Sequence, residues 1–176
     1  MATLLINKPT LAAKSRFADP NIDFDNKVAP IIKEVQQLHV KPQLGDVFYN
    51  KLISYVASHT EANAYLDKLL AGGSYEHCDD TYEFEGLEAA IANYTHAGLM
   101  DAQAGFLSVG GFRSGSDTYS SMADYKDRRN NYDAVMAVAE SYMQDCLTYL
   151  RRNAKDAEFE VCKTRVRKNR FFTITS

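Results

Sequence analysis

The stretch that decides the fold is residues 119–154, YSSMADYKDRRNNYDAVMAVAESYMQDCLTYLRRNA. Met122, Tyr125, Tyr132, Val135, Met136, Ala139, Met143, Cys146, Leu147 and Leu150 recur there at helical spacing. That spacing gathers them on one stripe of an amphipathic helix. At ~1.5 Å per residue the helix is roughly 50 Å long. The chain is therefore predicted to be mainly α.

Upstream of this helix, residues 108–118 (SVGGFRSGSDT) carry three of the nine glycines and read as a Gly/Ser loop. Before the loop, Leu87, Ala90, Ile91, Tyr94 and Ala97 predict one face of a helix over about 85–107. Its small residues (Ala89, Ala90, Ala92, Ala97, Gly98) suit close packing. Residues 74–84 are polar and aromatic and read as a loop or short hairpin turning at Asp79-Asp80. A helix over about 61–71 takes Thr60 as N-cap, carries Ala62, Tyr65, Leu66, Leu69 and Leu70, and ends at Gly72-Gly73. A helix over about 44–58 carries Leu44, Val47, Phe48, Leu52, Tyr55 and Val56. The first helix covers about 23–39 through Val28, Ile31, Ile32, Val35 and Leu38. Pro30 is a fault in that run, so regular helix is expected from about Ala29, and Pro42 is expected to stop it.

The ends have a different character. Residues 1–20 show no helical period and are predicted to form an extended N-terminal arm. Residues 157–176 interleave Phe159, Val161, Val166, Phe171, Phe172 and Ile174 with Lys163, Arg165, Arg167, Lys168 and Arg170. That composition predicts a β-prone C-terminal arm. The expected architecture is a helical bundle of about five helices over 21–156 with an arm at each end.

The 176 residues carry a net charge of −3, from 20 Lys+Arg against 23 Asp+Glu. This fits one globular domain, and the plentiful Tyr and Phe argue against general disorder. No apolar run is long enough to span a bilayer, and residues 1–9 lack the pattern of a secretory signal. Cys78, Cys146 and Cys162, an odd number at wide spacing, suggest reduced thiols and synthesis in a cytoplasm. The net charge hides an asymmetry. Residues 1–150 hold 12 basic and 20 acidic side chains, whereas 151–176 hold 8 and 3. An acidic body carries a basic tail.

No catalytic constellation emerges. Glu76-His77-Cys78-Asp79-Asp80 crowds five ligand-type side chains together, but adjacent residues do not converge on one ion and no second Cys/His pair stands at zinc spacing. His39, His59, His77 and His96 lack the glutamate three residues earlier that a di-iron bundle needs. Cys146 falls in an apolar stripe and reads as a small hydrophobe. Cys162 beside Lys163 is a weak nucleophile signal. Gly110-Gly111-Phe112-Arg113-Ser114-Gly115 lacks the ending of a P-loop and reads as a contact loop. No catalytic residue, metal ligand or cofactor is predicted. Lys163 to Arg170 places five cations beside Phe171 and Phe172, a pattern that binds nucleic acid or an acidic protein partner. The acidic body favours the protein partner.

The element order resembles the small helical head–tail connector (adaptor) proteins of tailed bacteriophages. The resemblance spans about 23–176. It rests on the paired helices 23–58, on Leu70-Ala-Gly-Gly-Ser-Tyr75 before Phe84-Glu-Gly-Leu87, on Ala89-Ala-Ile-Ala-Asn-Tyr94, on the Gly/Ser loop, and on the final helix ending Tyr149-Leu-Arg-Arg152. The Gly-Gly-x-Tyr and Phe-x-Gly-Leu pieces are similar to those of connector-like proteins of phages infecting Bacteroidetes, including crAss-like phages. The resemblance implies a homo-oligomeric ring, commonly a dodecamer, in the virion neck and assembled in the host cytoplasm. Its partners would be the portal protein, the next tail or neck protein, and DNA passing without specific binding. No membrane is involved. By position, the portal or a neighbouring subunit would meet Lys163, Arg165, Arg167, Lys168, Arg170, Phe171, Phe172 and Ile174. Gly110, Gly111, Phe112 and Arg113 would form a loop contact. This chain has longer arms and a longer final helix than the shorter adaptors.

Overall fold

The structure, a computed structural model, describes residues 3–15, 23–58, 63–103, 106–108, 111–113 and 125–153. The fold is mainly α. Seven α-helices are described: α1 (Lys8–Lys14), α2 (Ala29–Val35), α3 (Lys41–Leu44), α4 (Asp46–Ser58), α5 (Ala64–Ala71), α6 (Leu87–Gln103) and α7 (Tyr125–Asn153). Two antiparallel hairpins complete the described chain. β1 (Gly73–His77) pairs with β2 (Asp80–Phe84), and β3 (Phe106–Ser108) pairs with β4 (Gly111–Arg113).

Helix α6 is the centre. A single apolar face was expected, but Leu87, Ala89, Ala90, Ile91, Ala92, Asn93, Tyr94, Thr95, Ala97 and Leu99 are all buried. A helix buried on every side needs small residues where neighbours approach. A Cβ added at Gly98 would stand 2.8 Å from Cγ2 of Ile31 on α2. The two polar members satisfy themselves along the helix. Thr95 Oγ1 donates to Ile91 O at 2.8 Å, and Asn93 Nδ2 donates to Ala89 O at 2.9 Å.

The N-terminal arm is not extended throughout. Residues 8–14 form α1, capped by Asn7, whose side chain accepts from Thr10 N, with Pro9 in the first turn. A seven-residue helix with one buried residue, Leu11, is too short to show a period. Leu5 and Ile6 are buried ahead of it. Leu5 N donates to Gln36 Oε1 at 2.9 Å, and Gln36 Nε2 donates to Tyr49 OH at 3.0 Å. The buried Gln36 thus ties the N-terminal segment to α4.

The first predicted helix is longer than expected and changes pitch twice. A π-helical turn, Phe24–Val28, precedes α2, and a second, Gln36–Val40, joins α2 to α3. Each π turn stands immediately before a proline-bearing segment. Ala29 N–H reaches back five residues to Phe24 O before Pro30, and Lys41 N–H to Gln36 O before Pro42. A proline lacks the N–H and crowds the carbonyl four residues back, and the wider turn makes room for it. Pro42 therefore does not stop the helix, which runs to Gly45 at φ 81. The second π turn also rotates the stripe. Gln36 and Val40 turn inward, while Leu38, expected in the core, is 61% exposed.

Two further expectations shift. The N-cap of α5 is Asn63, whose Oδ1 accepts from Tyr65 N at 3.1 Å and Leu66 N at 3.3 Å, not Thr60, which lies outside the described residues. In α4, Phe48, Tyr49 and Leu52 are buried, whereas Val47 is 62% exposed. The last helix keeps its predicted stripe in its second half. Ala139, Met143, Cys146, Leu147, Tyr149 and Leu150 are buried. Among the described side chains of Tyr125–Val138 none is buried.

Candidate interaction surfaces

The β1–β2 hairpin is built from alternation. Its two-residue turn, Cys78 and Asp79, has φ 52 and 68. Positive φ at both central positions is the I′ geometry that matches strand twist. The turn lies one residue earlier than the predicted Asp79-Asp80. Tyr75 pairs with Tyr82, and Gly73 with Phe84. Tyr75, Tyr82 and Phe84 therefore share one face, which meets Tyr149 of α7, itself stacked on Tyr65 of α5. Phe84 stacks on Tyr149 at 4.7 Å, Tyr75 meets Tyr149 edge-on at 5.1 Å, and Tyr65 stacks on Tyr149 at 5.3 Å. Each such ring pair adds ~0.5–1.5 kcal/mol beyond its buried area. Burial raises the Tyr149 pKa above the ordinary phenol value.

Arg152 closes this cluster at the end of α7. Its guanidinium lies 3.9 Å from the Tyr82 ring centroid, and Nη1 donates to Tyr75 OH at 3.2 Å. The bond to Tyr75 raises the arginine pKa further, so the charge is permanent. The opposite face of the hairpin, Ser74, Glu76, Thr81 and Glu83, is exposed and acidic.

At the base of the hairpin two glycines cross. A Cβ at Gly72 (φ +87) would stand 2.5 Å from Glu85 C, and one at Gly86 (φ +85) would stand 2.3 Å from Gly72 N. The Gly-Gly-x-Tyr and Phe-x-Gly-Leu pieces are thus the two halves of one backbone contact. Lys14 of α1 seals it. Its Nζ donates to Ala71 O at 3.1 Å and Glu85 O at 3.2 Å, and lies 3.7 Å from Glu85 Oε2. Asn93 Nδ2 also donates to Lys14 O, at 3.3 Å. The ammonium favours the C-terminal end of α5, where carbonyls point outward. An open depression of about 530 Å³ lies here, lined by Lys14, Ser74, Glu83, Glu85 and Asp145 among others. Its chemistry is that of a structural joint, because the ammonium is already committed to backbone.

The predicted contact residues fall on either side of the description. Lys163, Arg165, Arg167, Lys168, Arg170, Phe171, Phe172, Ile174 and Gly110 lie outside the described residues. Gly111, Phe112 and Arg113 form β4, in register with Ser108, Leu107 and Phe106. The expected loop 108–118 is therefore in part the arm of a hairpin. The Glu76–Asp80 group spans strand, turn and strand, so its side chains diverge. Among the described residues no group of three or more His, Cys, Asp or Glu could hold a metal. Cys146 packs in the core, and burial pushes its thiol up to about 12. Cys78 is exposed at the turn. No described helix is long and apolar enough to cross a membrane.

Lys14, Gln36 and Asn93 were not singled out from sequence. Each works by reaching backbone groups far along the chain, which leaves no local signal. The pairing of Gly72 with Gly86 was visible only as two separate motifs.

No curated protein and no solved structure matches the chain. Residues 40–169 match the family described as "Family of unknown function (DUF6712)", and the chain belongs to that family.

Proposed function

We propose that the protein is a structural subunit of a phage head–tail connector ring, docking under the portal and linking capsid to tail around the DNA channel. The observation that supports this reading is the uneven use of α7. The helix has 29 residues and is roughly 43 Å long at ~1.5 Å per residue. Among its described side chains the buried ones begin at Ala139. Met136 packs against the edge of the core, Tyr132 and Val135 before it are half-buried, and Val138 is 37% exposed. A helix that extends past its own core with apolar residues suits burial by a neighbour. Leu38 and Val47 add exposed apolar area elsewhere. A closed ring needs two different contact surfaces on every subunit, because its interfaces are head-to-tail. The β3–β4 hairpin and the basic segment 157–176 would supply the contacts to the neck and the portal.

The test is electron microscopy of the purified full chain with and without a candidate portal. The reading expects rings, or monomers that assemble only on the portal, and loss of docking on deletion of 157–176 with the helical signal retained. Normal docking by the truncated chain would count against it. Steeply salt-dependent binding of DNA or RNA, without portal binding, would replace it with the alternative of a small nucleic-acid-binding protein.

A further inference from the structure

The β1–β2 hairpin is a two-strand sheet whose β1 edge carries one side-chain hydrogen bond and whose β2 edge carries none from the described residues. Its two-residue turn makes His77 and Asp80 a hydrogen-bonded pair, so bonded pairs alternate along the ladder. Tyr75–Tyr82 and Gly73–Phe84 are then bonded pairs. Ser74 and Glu76 turn their backbone groups out on the β1 side, and Thr81 and Glu83 turn theirs out on the β2 side. On the β1 side, Lys68 Nζ donates to Ser74 O at 2.9 Å. On the β2 side, no hydrogen bond from any described residue reaches the outward backbone of Thr81 or Glu83. Both residues are exposed. An open edge of this kind pairs readily with another strand.

The chain carries a segment that matches this edge. Residues 162–167, Cys-Lys-Thr-Arg-Val-Arg, alternate strictly. As a strand they place Cys162, Thr164 and Val166 on one face and Lys163, Arg165 and Arg167 on the other. The hairpin is divided in the same way, with Tyr75, Tyr82 and Phe84 on one face and Glu76 and Glu83 on the other. The cationic face would lie over the carboxylates and the apolar face beside the aromatic rings. Chain geometry agrees. Arg152 touches Tyr75 and Tyr82, so the described part of α7 ends at the hairpin. The eight residues 154–161 can span up to about 27 Å, enough to reach either end of β2.

We propose that residues 162–167 add to the outer edge of β2 of the same chain as a third strand, with Lys163, Arg165 and Arg167 over Glu76 and Glu83. The short connection favours the chain's own segment over a neighbour's, because it holds that segment at roughly millimolar effective concentration. The open edge of the body thereby holds the basic tail. This placement is that of the chain away from a portal, before segment 157–176 makes the portal contact proposed above, so its failure and the failure of the connector reading are separate results.

The experiment is amide hydrogen exchange on the full chain, resolved at Thr81 and Glu83, at two protein concentrations. Exchange in the wild type should be roughly tenfold or more slower than in the double variant Thr164→Pro with Arg165→Pro, which removes a donor facing β2 whichever way the added strand runs. Glu76→Lys with Glu83→Lys should abolish the protection, and adding Lys163→Glu, Arg165→Glu and Arg167→Glu should restore it. The Ile91 amide in the core should be unchanged throughout and reports that each variant is folded. Unprotected Thr81 and Glu83 in the wild type would overturn the proposal. So would protection that survives the two prolines together, or protection that grows with protein concentration, which would assign the strand to a neighbouring copy.

Discussion

Gly86→Ala tests whether the glycine crossing organises the joint between α5, the β1–β2 hairpin and α6. Three costs add at this position. The residue has φ +85, a left-handed conformation that costs an L side chain ~1–2 kcal/mol. The new Cβ would also stand 2.3 Å from Gly72 N, 2.5 Å from Leu70 O and 2.6 Å from Ala71 C. These are backbone atoms that cannot rotate away, so strands and helix must separate. Overpacking of this kind costs ~1–3 kcal/mol. Separation also pulls Ala71 O and Glu85 O away from Lys14 Nζ, at ~1 kcal/mol for each bond lost. The sum is about 4–7 kcal/mol, a large share of the ~5–15 kcal/mol that holds a typical domain together. At ~2–4 °C per kcal/mol for a chain of this size, the melting temperature should fall by roughly 8–28 °C. Urea unfolding followed by circular dichroism measures the change. Gly73→Ala is the control. That glycine also has positive φ (+130), but nothing lies within 4 Å of its Cβ, so only conformational strain remains. Equal losses for the two variants would refute the packing argument and leave backbone strain alone.

Other predictions follow from single side chains. Burial raises the Glu88 pKa above its ordinary 4.5, partly opposed by Lys14. Its ionisation therefore weakens the fold as pH rises from the ordinary carboxylate value through the raised one, and Glu88→Gln should gain stability over the wild type at pH 7 but not at pH 4, as read from urea midpoints. With Cys78 and Cys162 replaced by Ser, Cys146 should react with a thiol reagent only as fast as the protein opens, because it is buried and its pKa is about 12; rapid labelling of the native protein would place it outside the core. Cys78→Asn with Asp79→Gly should stabilise the hairpin turn by about 1 kcal/mol, since φ 52 and 68 suit Asn-Gly better than Cys-Asp; a lower melting temperature would contradict the I′ turn.

Periodicity served well where helices are long and one-sided. Ala139, Met143, Cys146, Leu147 and Leu150 of the deciding stretch are buried as expected. It misled at Leu38, because a π turn inserts a phase change that no apolar pattern announces. At α6 it marked one face, whereas Ala89 and Ala92, expected to suit close packing, extend the buried surface around the helix. It missed α1, whose signal is only a cap and a proline. For the candidate surfaces, residue types were legible but partnerships were not. The basic alternation of 162–167 could be read directly, whereas the open β2 edge that matches it required the hairpin register.

The local pattern alone determined that the chain is mainly α, that the last described helix is the longest of those described, and that charge divides between an acidic body and a basic tail. Those properties depend on neighbours within a few residues, where period and charge act directly. The tertiary structure decided what lies at the centre, how Gly72 meets Gly86, and why Lys14 and Gln36 matter. Such contacts join residues tens of positions apart, and their energy comes from packing and from satisfying buried backbone groups, which only the assembled chain presents.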